Sequence, residues 1–230
     1  MMTRTDKRRG WGISVCLSLF LLLTSCSSIR FVGIETLEPS ALTIPRAVRR
    51  VLIVDNAAMQ PTIPCALTLG KIPLEATEVT TDSMAFYYCH TLGQRIADAH
   101  RYDDVRLYDK AYRPAHLSDH PLSASEVRQL CTDEGVDAVI SLDRLLFNVK
   151  GDVNPLYFLT TNPFRVEVTG TLRLSIPSDT LPTVRVVHLS DTLRAAFEGT
   201  INGAEAIRQA IRTALYEVSL YMAEKSSLQF

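Results

Sequence analysis

Hydrophobic and polar positions predict a buried central strand and a hairpin. Residues 51–54 are a continuous apolar run rich in β-branched side chains, as expected of a strand buried on both faces. Over residues 164–176, apolar residues alternate with polar ones, which indicates a strand with one solvated face and an antiparallel neighbour. A second strand pattern at 183–197 follows the turn at 177–180, so the two segments predict a β-hairpin.

Shorter segments complete the predicted sheet. Residues 31–37, 104–108 and 136–146 have strand character. The stretch 57–79 is predicted to be a long loop.

Three segments predict helices. The first follows Thr81 or Asp82, either of which can cap it, and its apolar residues recur every three or four positions on one stripe that is expected to pack on the sheet. The members of that stripe are Ala85, Cys89, Leu92, Ile96 and Ala99.

The other two helices carry end signals. Ser123 and Glu126 form a capping box, with Leu122 and Val127 placed as its hydrophobic staple, and Gly135 ends the helix. Asn202, followed three residues later by Glu205, can open the last helix. One side of that helix carries Ile207, Ile211, Leu215, Val218 and Met222.

The order of these elements predicts one α/β layered domain over residues 31–230. It has a mixed parallel and antiparallel sheet and about three helices. The sequence shows no internal repeat and no linker long enough to separate two domains.

Charge is distributed unevenly along the 230 residues. The net charge is −1, but the first 25 residues hold four of the 24 basic groups and one acid, which leaves a remainder near −4. A basic start followed by the apolar stretch 13–24, which is too short to span a bilayer, predicts a cleaved signal peptide over residues 1–25. The nearly balanced charge of the whole chain gives no reason to expect a nucleic acid partner.

The end of that signal resembles the lipobox of bacterial lipoproteins. Leu23-Thr24-Ser25-Cys26 places small residues before a cysteine. The resemblance implies that Cys26 carries the acyl chains that hold the protein on a membrane, with residues 26–30 as a short tether. Because Ser27 follows the cysteine, the family analogy implies the outer membrane, facing the periplasm. The alternative is an ordinary signal peptide with an incidental cysteine.

Three further cysteines remain in the mature chain. Cys65, Cys89 and Cys131 are an odd number, which leaves at least one thiol unpaired. Small buried side chains are the favoured interpretation, and one disulfide is the alternative.

Several motifs together resemble a known family. They are the lipobox, the strand at 51–56, the Asp104-Val105 strand start and the segment 135–147. This combination resembles a family of Bacteroidota lipoproteins known only as a domain of unknown function. The topology is also similar, more distantly, to the periplasmic domains of the curli-secretion lipoprotein and of lipoproteins that activate peptidoglycan synthases.

Candidate catalytic chemistry is sparse. His116, Asp119 and His120 could supply two imidazoles and a carboxylate to a metal ion, although solvated loop residues are the favoured interpretation. Asp143 and Arg144 are adjacent on a strand, so their side chains face opposite ways and are expected to have surface or edge roles. The sequence contains no nucleophile elbow, P-loop or dinucleotide fingerprint.

An apolar cluster interrupts the polar segment 151–163. Leu156, Tyr157, Phe158 and Leu159 lie between turn-forming residues. They either fold onto the core, which is favoured, or form a patch that contacts a partner.

Together these features predict a non-catalytic, cofactor-free protein of the bacterial envelope. It is expected to attach to the membrane through Cys26 and to bind another envelope protein. A metal-assisted hydrolase and a small-ligand-binding domain are the alternatives.

Overall fold

The computed structural model describes residues 33–35, 44–58, 62–69, 72–73, 77–81, 83–109, 120–152, 164–179, 182–195 and 204–230. Its strands are β1 (Gly33–Glu35), β2 (Arg50–Ala58), β3 (Thr62–Leu69), β4 (Ile72–Pro73), β5 (Thr77–Thr80), β6 (Asp104–Leu107), β7 (Ala138–Asp152), β8 (Phe164–Ser175) and β9 (Thr183–Ala195). Its helices are α1 (Met84–Asp98), α2 (Ala124–Glu134) and α3 (Ala204–Ser227).

The strands form one mixed sheet in the order β1-β9-β8-β7-β2-β6. β2 runs parallel to both β6 and β7, whereas β7, β8, β9 and β1 pair antiparallel in turn. Residues 32–230 form one compact unit. The predicted mixed α/β domain, including the β8–β9 hairpin, is therefore confirmed.

Helices cover the two faces of the sheet differently. Val51 and Ile53 of β2 belong to the large core cluster with α1 and α3, whereas Leu52 and Val54 pack in a smaller cluster with α2. All four side chains are at most 1% exposed, so β2 is the doubly buried strand that the apolar run predicted. Among the described residues, no helix combines the length and the apolar character needed to cross a membrane.

Helix α2 begins and ends where the sequence predicted. The Ser123 hydroxyl accepts a hydrogen bond from the Glu126 backbone N–H, and a Glu126 carboxylate oxygen accepts one from the Ser123 N–H at 2.8 Å. Gly135 ends the helix at φ 64°, in the left-handed region that glycine adopts without strain.

Helix α1 differs from the prediction at both ends. Its N-cap is Ser83, whose backbone has φ 71° and whose side chain makes no capping bond, whereas Thr81 contributes its carbonyl oxygen to the Met84 N–H at 3.0 Å. Ala99 is the exposed C-cap and does not belong to the packed stripe. The helix starts later because β5 extends to Thr80 and the chain needs a turn before it can begin.

The predicted loop at 57–79 is wrong. β3 pairs parallel with the second half of β7 and antiparallel with β5 and β4. β7 is longer than predicted and extends beyond β2, and β3 supplies hydrogen-bond partners to that extension.

Candidate functional site

Most of the sequence-predicted site residues lie outside the described part of the chain. These are Cys26, His116, Asp119, and the cluster Leu156, Tyr157, Phe158 and Leu159. His120 is described, is exposed, and contributes its backbone carbonyl oxygen to a hydrogen bond from Asn56 Nδ2 at 2.8 Å. Within the described ranges, no group of three or more His, Cys, Asp or Glu side chains is placed to hold a metal ion. The metal hypothesis and the apolar contact therefore stay predictions.

A polar network at the carboxyl end of β2 joins residues that the sequence did not connect. Asp143 is fully buried, and its Oδ1 accepts hydrogen bonds from Ser141 Oγ at 2.8 Å and Asn56 Nδ2 at 3.1 Å. Its Oδ2 lies 2.7 Å from Arg173 Nε, in an ion pair with β8. The Arg173 side chain is 24% exposed, so the network reaches solvent through this guanidinium.

The surface role expected for Asp143 is wrong. Asp143 occupies a β-bulge, because Leu142 pairs with Leu172 while Arg144 pairs with Thr171. The extra residue changes the alternation, so that Leu142 and Leu145 face the same large core cluster although they are an odd number of residues apart. Arg144 alone is exposed as expected.

The arrangement around Asp143 is suited to a structural role. The carboxylate is fully buried, and the groups that contact it belong to β2, β7 and β8. A buried ion pair with additional hydrogen bonds fixes the relative placement of its strands. The network thus holds β2, β7 and β8 in register around the bulge.

The buried thiols are poor nucleophiles. Burial raises the pKa of Cys89 well above its ordinary value and raises the pKa of Cys131 to about 11, whereas a reactive cysteine needs a lowered thiol pKa. Both are free and buried, which confirms the packing interpretation for these two. Burial also raises the pKa of Asp55, and its carboxylate in turn contributes to the raised pKa of Cys89.

Helices α1 and α3 leave an open groove of 940 Å³ between them. Tyr87 meets Tyr216, and Arg95 pairs with Glu224 eight residues further along both helices. The two helices therefore run in the same direction, and these contacts cross the groove about 12 Å apart. Between them the groove is lined by Thr91, Gln94, Leu220 and Tyr221.

Aromatic side chains form one end of the groove. The rings of Tyr87 and Tyr216, which line the groove, meet edge to face at 4.9 Å between centroids. Beside the groove, Phe86 packs against Tyr87 at 6.0 Å and against His90 at 6.1 Å. Phe86, Tyr87 and Tyr216 remain 42%, 40% and 37% exposed. Large side chains that contact one another at the surface, and not the core, are characteristic of a binding site.

The other end of the groove is polar. Arg95 and Glu224 are 3.6 Å apart, and both side chains are about half exposed. Lys225 Nζ lies 5.4 Å from the centre of the Tyr221 ring beside it. The groove thus combines an aromatic end with a charged end at which both side chains are about half exposed.

Sequence reasoning gave α1 a packing role and missed this groove. The helix does pack, since Tyr88, Cys89, Leu92 and Ile96 are at most 1% exposed. The signal lay on the other side of the helix, where Phe86 and Tyr87 precede His90 on a face that amphipathic packing leaves to solvent.

Fold and surface together define a mixed α/β domain with an aromatic groove on its helical face. The model of the family described as domain of unknown function (DUF8603) matches residues 48–230. The chain belongs to this family. No curated protein matches it.

Two solved structures show limited similarity. The PelC dodecamer from Paraburkholderia phytofirmans has a TM-score of 0.42 and 15% identity, covering 87% of this chain and 98% of that one. Protein XCC0632 from Xanthomonas campestris, of family DUF330, has a TM-score of 0.33 and 11% identity, covering 82% and 95%. At these TM-scores and sequence identities, neither similarity indicates a function for this chain.

Proposed function

We propose that this protein is a lipid-anchored, non-catalytic binding module of the bacterial cell envelope. Acyl chains on Cys26 hold it on the outer membrane, facing the periplasm, after removal of residues 1–25. Its task is to bind another envelope protein in the groove between α1 and α3. The finer family assignment, to lipoproteins of Bacteroidota, is part of this proposal.

The observation that carries the proposal is the pair of exposed tyrosines on opposite walls of the groove. Tyr87 and Tyr216 are both more than a third exposed, although they contact each other. Tyrosine and arginine are over-represented among the residues that dominate protein–protein binding energy. The groove is open and not enclosed, so its shape favours a protein segment over a small ligand, which is usually enclosed on most sides.

The geometry of the groove specifies the chemistry of the partner segment. An apolar or aromatic side chain would contact the Tyr87 and Tyr216 rings. Polar groups on the same segment would meet Arg95 and Glu224 about 12 Å further on, which is about two turns of a helix. A short amphipathic segment fits both requirements.

The anchor is tested by cell fractionation. Cys26→Ala should release the protein into the soluble fraction or leave it unprocessed. Cys16→Ala, within the predicted signal, is the matched control and should leave membrane association unchanged. Unchanged processing and association in Cys26→Ala would contradict the anchor.

The partner is tested by crosslinking in cells, purification of the intact chain and mass spectrometry. We expect one envelope protein to be enriched with the wild type and with Gln129→Ala, on the exposed side of α2, but not with Tyr87→Ala/Tyr216→Ala. Equal recovery with the groove variant, or no envelope protein above background, would overturn the proposal. Thermal unfolding of the purified variants verifies that they are folded.

A further inference from the structure

Three basic residues lie side by side across three adjacent strands of the sheet. Lys150 of β7 is directly opposite Arg165 of β8, and Arg165 is directly opposite Arg194 of β9. Like charges in directly opposite positions of a sheet are destabilising. This basic row (Lys150, Arg165 and Arg194) therefore has an energetic cost that a binding role would offset.

Two members of the basic row, Lys150 and Arg165, lie on the face of the sheet away from α1 and α3. Val149 and Val166, the neighbours of Lys150 and Arg165 in their strands, point into the core cluster on the other face. Lys150 and Arg165 are exposed. Glu167, the acid nearest to Lys150, lies 3.1 Å from its Nζ and also accepts a hydrogen bond from Asn148 Nδ2 at 2.8 Å. A second acid, Asp152, follows two residues after Lys150 in β7.

The direction of β1 places its first residue, Gly33, at the same end of the sheet as the basic row. β1 runs antiparallel to β9, with Gly33 opposite Ser190 and Glu35 opposite His188. The chain therefore enters β1 from the side of higher β9 numbers, where Arg194 lies. Ser190 is also opposite Thr169, so Gly33 is displaced from Arg165 by four residues along the strands and by two strands across the sheet, or about 16 Å.

The segment between Cys26 and Gly33 is short enough to keep this end of the sheet close to the lipid anchor of the proposed function. Six residues separate Cys26 from Gly33, and they span at most about 22 Å. This reach exceeds the distances of about 16 Å from Gly33 to Arg165 and about 20 Å to Lys150, so acyl chains on Cys26 would keep the row near the lipid headgroups.

We propose that the basic row binds anionic phospholipid headgroups and so fixes the orientation of the domain on its membrane. The proposal rests on the lipid anchor of the proposed function, which confines the domain to the bilayer. A basic cluster is a common second membrane signal beside a lipid chain, and it recognises negative headgroup charge. In a mature chain of net charge near −4, basic residues occupy directly opposite positions of three neighbouring strands at this end of the sheet, and a negative surface would attract them.

Lysine labelling in nanodiscs tests the proposal with the intact acylated chain. The protein is placed in discs of phosphatidylcholine alone or with added phosphatidylglycerol, and acetylation rates of individual lysines are followed by mass spectrometry. Phosphatidylglycerol should slow the labelling of Lys150 by about fivefold, the effect of about one basic side chain at an anionic surface. Lys225, in the last turn of α3, is the internal control and should not change.

Two further conditions identify the cause. Arg165→Glu or high salt should restore the Lys150 rate, whereas Arg212→Glu, on the exposed side of α3, should not. Equal Lys150 rates in both kinds of disc would overturn the membrane contact while leaving the anchor intact. A chain that enters neither disc would instead refute the anchor, and the membrane contact with it.

Discussion

Tyr87 of α1 and Tyr216 of α3 meet edge to face across the groove, with ring centroids 4.9 Å apart and planes at 90°. Each ring is nevertheless more than a third exposed. The pair links the two helices and also leaves aromatic surface for a partner. The pair should therefore contribute more free energy to partner binding than to folding.

Tyr216→Ala should lower the free energy of unfolding by only about 0.5–1.5 kcal/mol, the worth of an aromatic pair, while it abolishes partner recovery. The preceding residue in α3, Leu215, is fully buried, and Leu215→Ala should cost about 2–5 kcal/mol. Denaturant unfolding gives both values. If Tyr216→Ala lowered the free energy of unfolding as much as Leu215→Ala, Tyr216 would act as a core residue and not as a binding residue.

Arg173→Met should destabilise the fold by about 3 kcal/mol, because it leaves the fully buried Asp143 carboxylate without its cation. Asp143→Asn should cost less, since the amide oxygen can still accept from Ser141 and Asn56. Arg165→Met, on the same strand but exposed, is the control and should stay within about 0.5 kcal/mol. Chemical denaturation checks the order of the three, and similar values for Arg173→Met and Arg165→Met would refute the structural role of the network.

Gly170→Ala should cost about 1–2 kcal/mol by overpacking. An added Cβ would lie 3.2 Å from the Arg144 carbonyl oxygen, in the backbone that directly follows the bulge. Thr169→Ala, at the exposed neighbouring position, should change the unfolding midpoint much less. An unchanged midpoint for Gly170→Ala would mean that the backbone after the bulge accommodates the added methyl group without strain.

Asp137 should contribute an acid-sensitive part of stability. Hydrogen bonds from the Arg50 guanidinium and from the Arg49 and Arg50 backbone N–H groups lower its pKa from 3.8 to about 2. Because the folded pKa is the lower one, the contribution is complete above pH 3.8 and disappears as the pH falls through about 2.

Asp137→Asn should therefore lower the free energy of unfolding at pH 7 by about 1 kcal/mol, a value reduced by the partial exposure of the pair. The difference in free energy of unfolding between Asp137→Asn and the wild type should disappear between about pH 4 and pH 2. Asp133→Asn, on the exposed face of α2, is the control and should leave the free energy of unfolding at pH 7 within about 0.5 kcal/mol of the wild type. If the difference in free energy of unfolding were unchanged at pH 2, the ionised Asp137 carboxylate would be excluded as its cause.

Local signals made much of the fold predictable. The capping box that marks the start of α2 lies within four consecutive residues, Ser123 to Glu126. The alternation in β8 reflects one buried and one solvated face. Both patterns depend on neighbours in the chain. The pairing of β3 with the second half of β7 depends on residues more than 80 positions apart, so no local sequence pattern indicates it.

The candidate sites were harder to predict for the same reason. The role of Asp143 follows from a bulge and from Arg173, 30 residues later. The groove arises only when α3 lies beside α1, which brings Tyr216 to Tyr87. The predictions for Cys26, His116, Asp119 and Leu156–Leu159 lie outside the described residues, and metal analysis and labelling of those positions would test them.

Site-specific photocrosslinking in cells tests the central claim most directly. A photoreactive amino acid replaces Gln94, inside the groove, or Gln129, on the exposed side of α2. The account predicts one discrete crosslinked envelope protein from position 94, lost when Tyr216→Ala is added, and none from position 129. The same product from both positions, or no product from position 94, would contradict a binding groove between α1 and α3.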